Sequence, residues 1–326
     1  MHRKLEFWII TSTEDVASMN IRTHLLENYS FHPVIGNSDE WSRWEGHPTH
    51  ILEETKFDYA TIRLVLTDTA MVLLGDKISK KDRVNFTGAD FAIFASRHSA
   101  KSSIPALLIH STGNWSEDTA FGGEPHSLCR TSAKLVQIGY QNLEQQKFIH
   151  NLDWPVDLEV NHHGPTQFSF PLVFMELGSS EENWKNKIGG RAVADAIIKT
   201  ILNYLAGISL DLAHLRENFT RMELYAHIKE NEQPKEEHAI GFGGVHYARN
   251  FSKLLDRIPI SFIVPKYFVP YLTEGLIQQM VDNTLEIVNY AIIDWSSMKS
   301  AVRTELTQKL DKLSISWKKR KDVSVK

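Results

Sequence analysis

Apolar and polar positions alternate most cleanly around residue 158, where Val156, Leu158 and Val160 are separated by Asp157, Glu159 and Asn161. That is the period-two signature of a half-buried strand. If the strand extends to residue 163, Glu159, Asn161 and His163 share one face and His162 points the other way. Gly164-Pro165 ends the alternation. A second apolar run over 171–177 begins with a proline, as a strand can. Further strand signals fall at 5–10, at 62–66 paired with 70–74, and at 91–95, 105–109 and 260–264. Helical periodicity covers 15–28, opened by Thr11 and Glu14 at capping-box spacing, and also 135–146, 190–206, 273–293 and 297–313. Residues 32–60 carry no clear period.

Several strand signals share one ending, an apolar run followed by a polar tip bearing histidine. Ser96-Arg97-His98 follows the first such run and His110-Ser111-Thr112 the second; His246-Tyr247 follows Gly241, Gly243 and Gly244. Ligands of open α/β sheets sit beyond the carboxyl ends of strands, so these tips predict one shared cleft. A lone histidine is more often a structural hydrogen-bonder. A carboxylate and two imidazoles within Glu159–His163, however, are costly to bury without a use. The glycines beside His246 and Arg249 suit an anion or a developing oxyanion. Gly122-Gly123 lacks the spacing of a phosphate loop, and neither Ser96 nor Ser111 sits in a nucleophile elbow.

Composition narrows the class. The 326 residues are 42% hydrophobic and 23% charged, ordinary for a globular protein. The single cysteine, Cys129, excludes a disulfide framework within the chain and predicts a reducing, cytoplasmic setting. The first residues become charged too early for a signal peptide, and no apolar run reaches membrane-spanning length. A net charge of −4 argues against a broadly basic nucleic-acid coat but allows local patches. Lys77, Lys80, Lys81 and Arg83 form the densest cationic stretch of the first half, and a basic segment at 317–326 reads as a frayed tail. The expected organisation is one α/β domain over 1–316, with a small subdomain within about 32–88.

Four segments carry a family resemblance: ASRHSAKSSIPALLIHSTGN from Ala95, EVNHHGPT from Glu159, FMELGSSEENW from Phe174 and FGGVHYAR from Phe242. Together with the opening ITSTEDVASMNI, the chain resembles the archaeal and plant type of D-aminoacyl-tRNA deacylase. Val160 and Asn161 replace the alanine and threonine of that family's central EATHHGP motif. The resemblance implies a three-layer α/β fold of the phosphorylase and peptidyl-tRNA-hydrolase-like class, with a mixed sheet flanked by helices. It implies hydrolysis of the ester between a D-amino acid and the terminal ribose of tRNA. A monomer without membrane attachment is the expected state. It also associates the family with zinc.

For that reaction the residues offer His98 or His163 as base, Glu159 as orienter and His110 or His246 as acid. The amides of Gly243 and Gly244, or Arg97, would face the oxyanion. The candidate zinc ligands are Glu159, His162 and His246. Lys80, Lys81, Lys101 and Arg249 are the candidate tRNA contacts. A zinc-dependent amidase or peptidase, a nucleoside-phosphorylase-like enzyme and a non-catalytic RNA-binding module are the rival readings.

Overall fold

Buried along its whole length except at Glu6, the strand Leu5–Ser12 (β1) must lie at the centre of a covered sheet. It is followed by α1 (Val16–Asn28), β2 (Phe31–Pro33), β3 (His50–Leu52), β4 (Ala60–Thr67), β5 (Phe91–Arg97) and β6 (Ala106–His110). Next come α2 (Ala133–Ile149), β7 (Val156–Leu158), β8 (Leu172–Gly178), α3 (Lys187–Gly207) and α4 (Arg221–Glu230). The remainder is β9 (His238–Phe242), β10 (Ile260–Val264), α5 (Glu274–Asp282), β11 (Val288–Ile293), α6 (Ser300–Lys312) and β12 (Trp317–Lys319), with short pieces between. The structure, a computed structural model, describes residues 3–36, 39–53, 57–77, 88–208, 219–231 and 236–323.

Eight strands form one mixed sheet in the order β7-β6-β8-β5-β1-β4-β3-β2. β8, β5, β1 and β4 run parallel, whereas β8 meets β6 antiparallel. A second sheet, β10-β9-β11-β12, is parallel throughout. The pleat of β1 shows how the layers stack. Phe7 and Ile9 enter one core with Ile21 and Leu25 of α1, Leu135 of α2 and Val193 and Ile197 of α3. Trp8 and Ile10 enter the other, shared with Phe242 and Phe262 of the small sheet and with Met280 and Leu306 of α5 and α6. A mixed sheet flanked by helices is therefore present, and the second sheet contributes to both cores, with Ile263 and Ile292 in the first and Phe242 and Phe262 in the second.

Some sequence expectations fail for local reasons. Asp15 caps α1 by accepting from the Ser18 amide, while Thr11 stays in β1, so the Thr11–Glu14 capping box does not form. The expected strand at 70–74 is a turn of helix over Met71–Lys77. The expected helix over 273–293 is α5 followed by β11. Thr284 Oγ1 donates to Met280 O at 2.6 Å near the helix end, and the β-branched, buried end of β11 then prefers the sheet. The expected frayed tail is β12: Trp317–Lys319 pairs with Ala291–Ile293, and Trp317 stacks on Trp295 at 5.8 Å and 13°.

Candidate active site at the seam of the two sheets

Each histidine tip is delivered by a strand end. Alternation along β5 puts Ser96 and His98 on one side; β6 ends in His110; and β8, lying between those strands, carries Glu176 in register with Ser96. Ser96 Oγ donates to Glu176 Oε1 at 2.7 Å. The segment after β7 stitches the sheets together. The Glu159 amide donates to Ile109 O of the large sheet, the Val160 amide to His246 O, and the Asn161 amide to Ile263 O of the small sheet. Asn161 also accepts from the Ile263 amide at 2.6 Å, and its side-chain amide donates to Ser111 Oγ at 2.7 Å. Asn161 is thus a fastener between the sheets.

These elements gather five imidazoles and two carboxylates. His98 Nδ1 lies 3.3 Å from Glu159 Oε1 and 3.4 Å from Glu176 Oε2. His110 Nε2 lies 3.7 Å from Glu159 Oε2 and 3.7 Å from Glu176 Oε1, and His246 Nε2 lies 3.0 Å from Glu159 Oε1. Among the described residues the potential ligands fall into two triads, His98–Glu159–His246 and His110–His163–Glu176, each with its donor atoms within 4.8 Å of one another. Both oxygens of Glu159, and His110 Nε2, are buried without a well-aligned hydrogen bond. Lone pairs brought together without being paired are expected of ligands aimed at a common cation. The outer nitrogens fit the same pattern. Nδ1 of His110, His162 and His163 contacts Ser111 O, Val160 O and Gly164 O respectively. A carbonyl only accepts, so each Nδ1 carries a proton, and in the neutral ring Nε2 keeps a lone pair.

The electrostatics separate the histidines. Burial disfavours protonated His98, but Glu159 and Glu176 outweigh it and push its pKa up to about 11. The same carboxylates raise His110 against its burial. Burial, followed for His163 by the neighbouring imidazoles, draws His162 down to about 4 and His163 to about 3. Burial alone would raise both glutamates, yet the imidazoles around them hold Glu159 and Glu176 below the usual carboxylate range.

A family model described as D-aminoacyl-tRNA deacylase matches residues 85–318 of the chain. The chain belongs to the D-aminoacyl-tRNA deacylase family. Similar relatives include the D-aminoacyl-tRNA deacylase of Methanosarcina acetivorans, 32% identical over 98% of this chain and 93% of that protein. The one from Thermococcus kodakarensis is 29% identical over 90% of this chain and 93% of its own. The fold is similar to that in the crystal structure of a conserved protein of unknown function, AF0625, with a TM-score of 0.73 and 22% identity over 99% of this chain and 98% of that one.

Within this deacylase-family chain, other expected site residues are placed elsewhere. Arg97 alternates away from the cluster: its backbone amide donates to Asp15 and its guanidinium lies over Trp184 at 5.3 Å. Arg249 pairs with Asp157 at 3.1 Å on the surface. Gly243 and Gly244 are required by the backbone, at φ +109° and +89°. A Cβ on Gly243 would meet Ser297 Oγ at 2.6 Å. Their amides are already engaged, with Val264 O at 2.8 Å and Ser297 Oγ at 3.3 Å, so they are not aimed at an oxyanion. His162, expected among the metal ligands, stands outside both triads, and His98 joins Glu159 and His246 instead. Lys101 is exposed in the turn after β5, and Lys80 and Lys81 lie outside the described residues. Glu176 and Tyr247 join the site with no local sequence signal for it; the Tyr247 hydroxyl lies 3.0 Å from His98 Nε2. No helix among the described residues is long and apolar enough to cross a membrane.

Proposed function

We propose that the chain hydrolyses the ester joining a D-amino acid to the terminal ribose of tRNA, as a cytoplasmic monomer, and that the histidine–carboxylate cluster carries the reaction with bound zinc. The observation that carries this reading is the buried Glu159 carboxylate and His110 Nε2, whose contacts inside two ligand triads include no well-aligned hydrogen bond. Imidazole and carboxylate donors fit zinc. His98, Glu159 and His246 would hold one ion, and His110, His163 and Glu176 a second. Zinc, when bound, supplies a Lewis acid toward the ester carbonyl and toward water.

The remaining steps fall to the chain's own groups. His162 has Nδ1–H committed to Val160 O at 2.8 Å, leaving the Nε2 lone pair for the proton of the attacking water. Its pKa, drawn down to about 4 by burial, leaves it neutral at pH 7 and makes its protonated form a ready proton donor. It therefore readily passes that proton to the departing ribose oxygen. Ser96 fixes Glu176, and Tyr247 fixes the His98 ring. One chain supplies every group in the cluster, so no second copy is needed.

The test is release of amino acid from matched D- and L-aminoacyl-tRNA by metal-analysed protein, before and after chelation. Faster release of the D-amino acid, and its loss on chelation with recovery on zinc, is the expected result. Equal release of both enantiomers would overturn the substrate assignment. Full activity after verified metal removal would overturn the role of zinc.

A further inference from the structure

All four strands of the small sheet are parallel, so β10, β9, β11 and β12 end on one edge at Val264, Phe242, Ile293 and Lys319. The edge of a parallel sheet where its strands end is where ligands of such sheets bind, and His246 reaches the catalytic cluster from this same edge. Beside it, the Lys266 amide donates to Gly244 O at 3.0 Å, which seats Tyr267, 49% exposed, next to the His246 loop. Burial, and secondarily the charge of Glu159, raises the Tyr267 phenol, so this ring faces the cluster's field.

On the other side of His246 stands half-buried Trp295, stacked on Trp317. The Lys319 ammonium lies 4.5 Å, and the Arg303 guanidinium 4.9 Å, from the centre of the Trp295 ring. Lys299 and Lys321 are exposed nearby in sequence. A chain of net charge −4 has thus gathered cations and aromatic rings at one end of the edge that bears its catalytic histidine. Cations interleaved with aromatic faces are what single-stranded nucleic acid uses, phosphates on the former and bases on the latter.

We propose that this edge, from Tyr267 past His246 to Trp295 and Lys319, is the track for the unpaired 3′ end of tRNA. Tyr267 is the stacking platform, the Trp295 ring holds Lys319 and Arg303 in place, and those two cations with Lys321 face phosphates. The inference rests on the tRNA substrate proposed above. Size agrees with it. Three inter-strand spacings give an edge of about 14 Å, and at about 3.4 Å per stacked nucleotide that spans about four nucleotides. That is the length of a short unpaired end whose last ribose must reach the cluster.

Binding of uncharged tRNA to the full chain, followed by fluorescence anisotropy across a salt series, tests this without any chemistry. The comparison probe is the same tRNA lacking its unpaired 3′ nucleotides. Wild type should bind intact tRNA at least about tenfold more tightly than the trimmed form, the effect of a single stacked base. The double variant Lys319→Gln/Lys321→Gln should lower the salt slope by about 1.4, at about 0.7 per phosphate lost, for intact tRNA only. Trp295→Ala should weaken intact tRNA and leave trimmed tRNA unaffected. A merely structural role for the Trp295 cluster would not move the salt slope in the double-lysine variant. Equal affinities for intact and trimmed tRNA, or an unchanged slope in the lysine variant, would overturn the track. Failure of wild type to release D-amino acid would count against the deacylase reading alone, since the binding result stands without turnover.

Discussion

Tyr247 and His98 follow strands of different sheets and meet through a single polar contact, the phenol oxygen 3.0 Å from His98 Nε2. The opposite nitrogen of that imidazole faces Glu159 and Glu176, so the phenol sets where Nδ1 points. Tyr247→Phe keeps the ring and removes only this contact. Metal affinity or turnover should fall by about 10–100-fold, the usual cost of losing such an orienting partner. Competition with a chelator and steady-state deacylation would read it, and wild-type values in both would reduce Tyr247 to packing.

The adjacent histidines should fail differently. His162→Ala should lower turnover by about 10²–10⁴-fold, the range of a general acid–base group, while metal content stays at the wild-type level. His163→Ala should lose at least tenfold in turnover together with metal from the His110–Glu176 set. Metal analysis of both folded variants separates the roles, and matching metal losses would contradict the division.

Metal removal should also lower stability. Ions that bind only the folded chain stabilise it by mass action, and here they would neutralise two buried carboxylates. The thermal midpoint should drop on chelation and recover with zinc. A midpoint indifferent to metal would argue against both triads as ligand sets.

Asp195 supplies a pH signature away from the cluster. Burial opposes its ionisation, but Tyr29, Arg191 and His150, at 2.7, 2.8 and 2.9 Å, hold its pKa below the usual value of 3.8. A depressed folded pKa means stability that is present above the unfolded pKa and lost as pH falls through the folded one. Asp195→Asn should therefore cost about 1–3 kcal/mol at pH 7, as for a charged group removed from its donors. That gap to wild type should close as pH drops below about 3.8. Urea unfolding at neutral and acid pH would measure both, and a gap independent of pH would exclude the carboxylate as its source.

Much of this site is visible in local pattern because strand ends are local. Alternation around Leu158 exposes Glu159 and His163, and apolar runs closing on histidine expose His98, His110 and His246. Glu176 is harder to find because it lies inside an apolar run between Met175 and Leu177, both fully buried. Its position between Ser96 and Leu108 depends on long-range register, for which no local spacing is a proxy. The second sheet is obscured similarly. Leu276, Met280, Leu285 and Val288 continue one helical period across the break at Asn283, so β11 reads as more helix. Arg97 points its guanidinium over Trp184 and the glycine amides bond Val264 and Ser297, partner choices that composition does not encode.

The stitching of Glu159–Asn161 to both sheets has a consequence for how the protein comes into being. A chain leaves the ribosome N-terminus first, so His110, His163 and Glu176 are all available once β8 has emerged. His98 and Glu159 must wait for His246, and their backbone neighbours Val160 and Asn161 must wait for His246 and Ile263 to accept their amides. One ligand set can thus close well before the other, and the complete centre exists only after the small sheet has docked. Metal capture and that docking then reinforce each other, so amides of β9 should exchange with solvent more slowly once metal is bound. During its own synthesis the chain is surrounded by aminoacyl and peptidyl esters, and the cluster proposed to hydrolyse such esters stays unassembled until most of its length has been made.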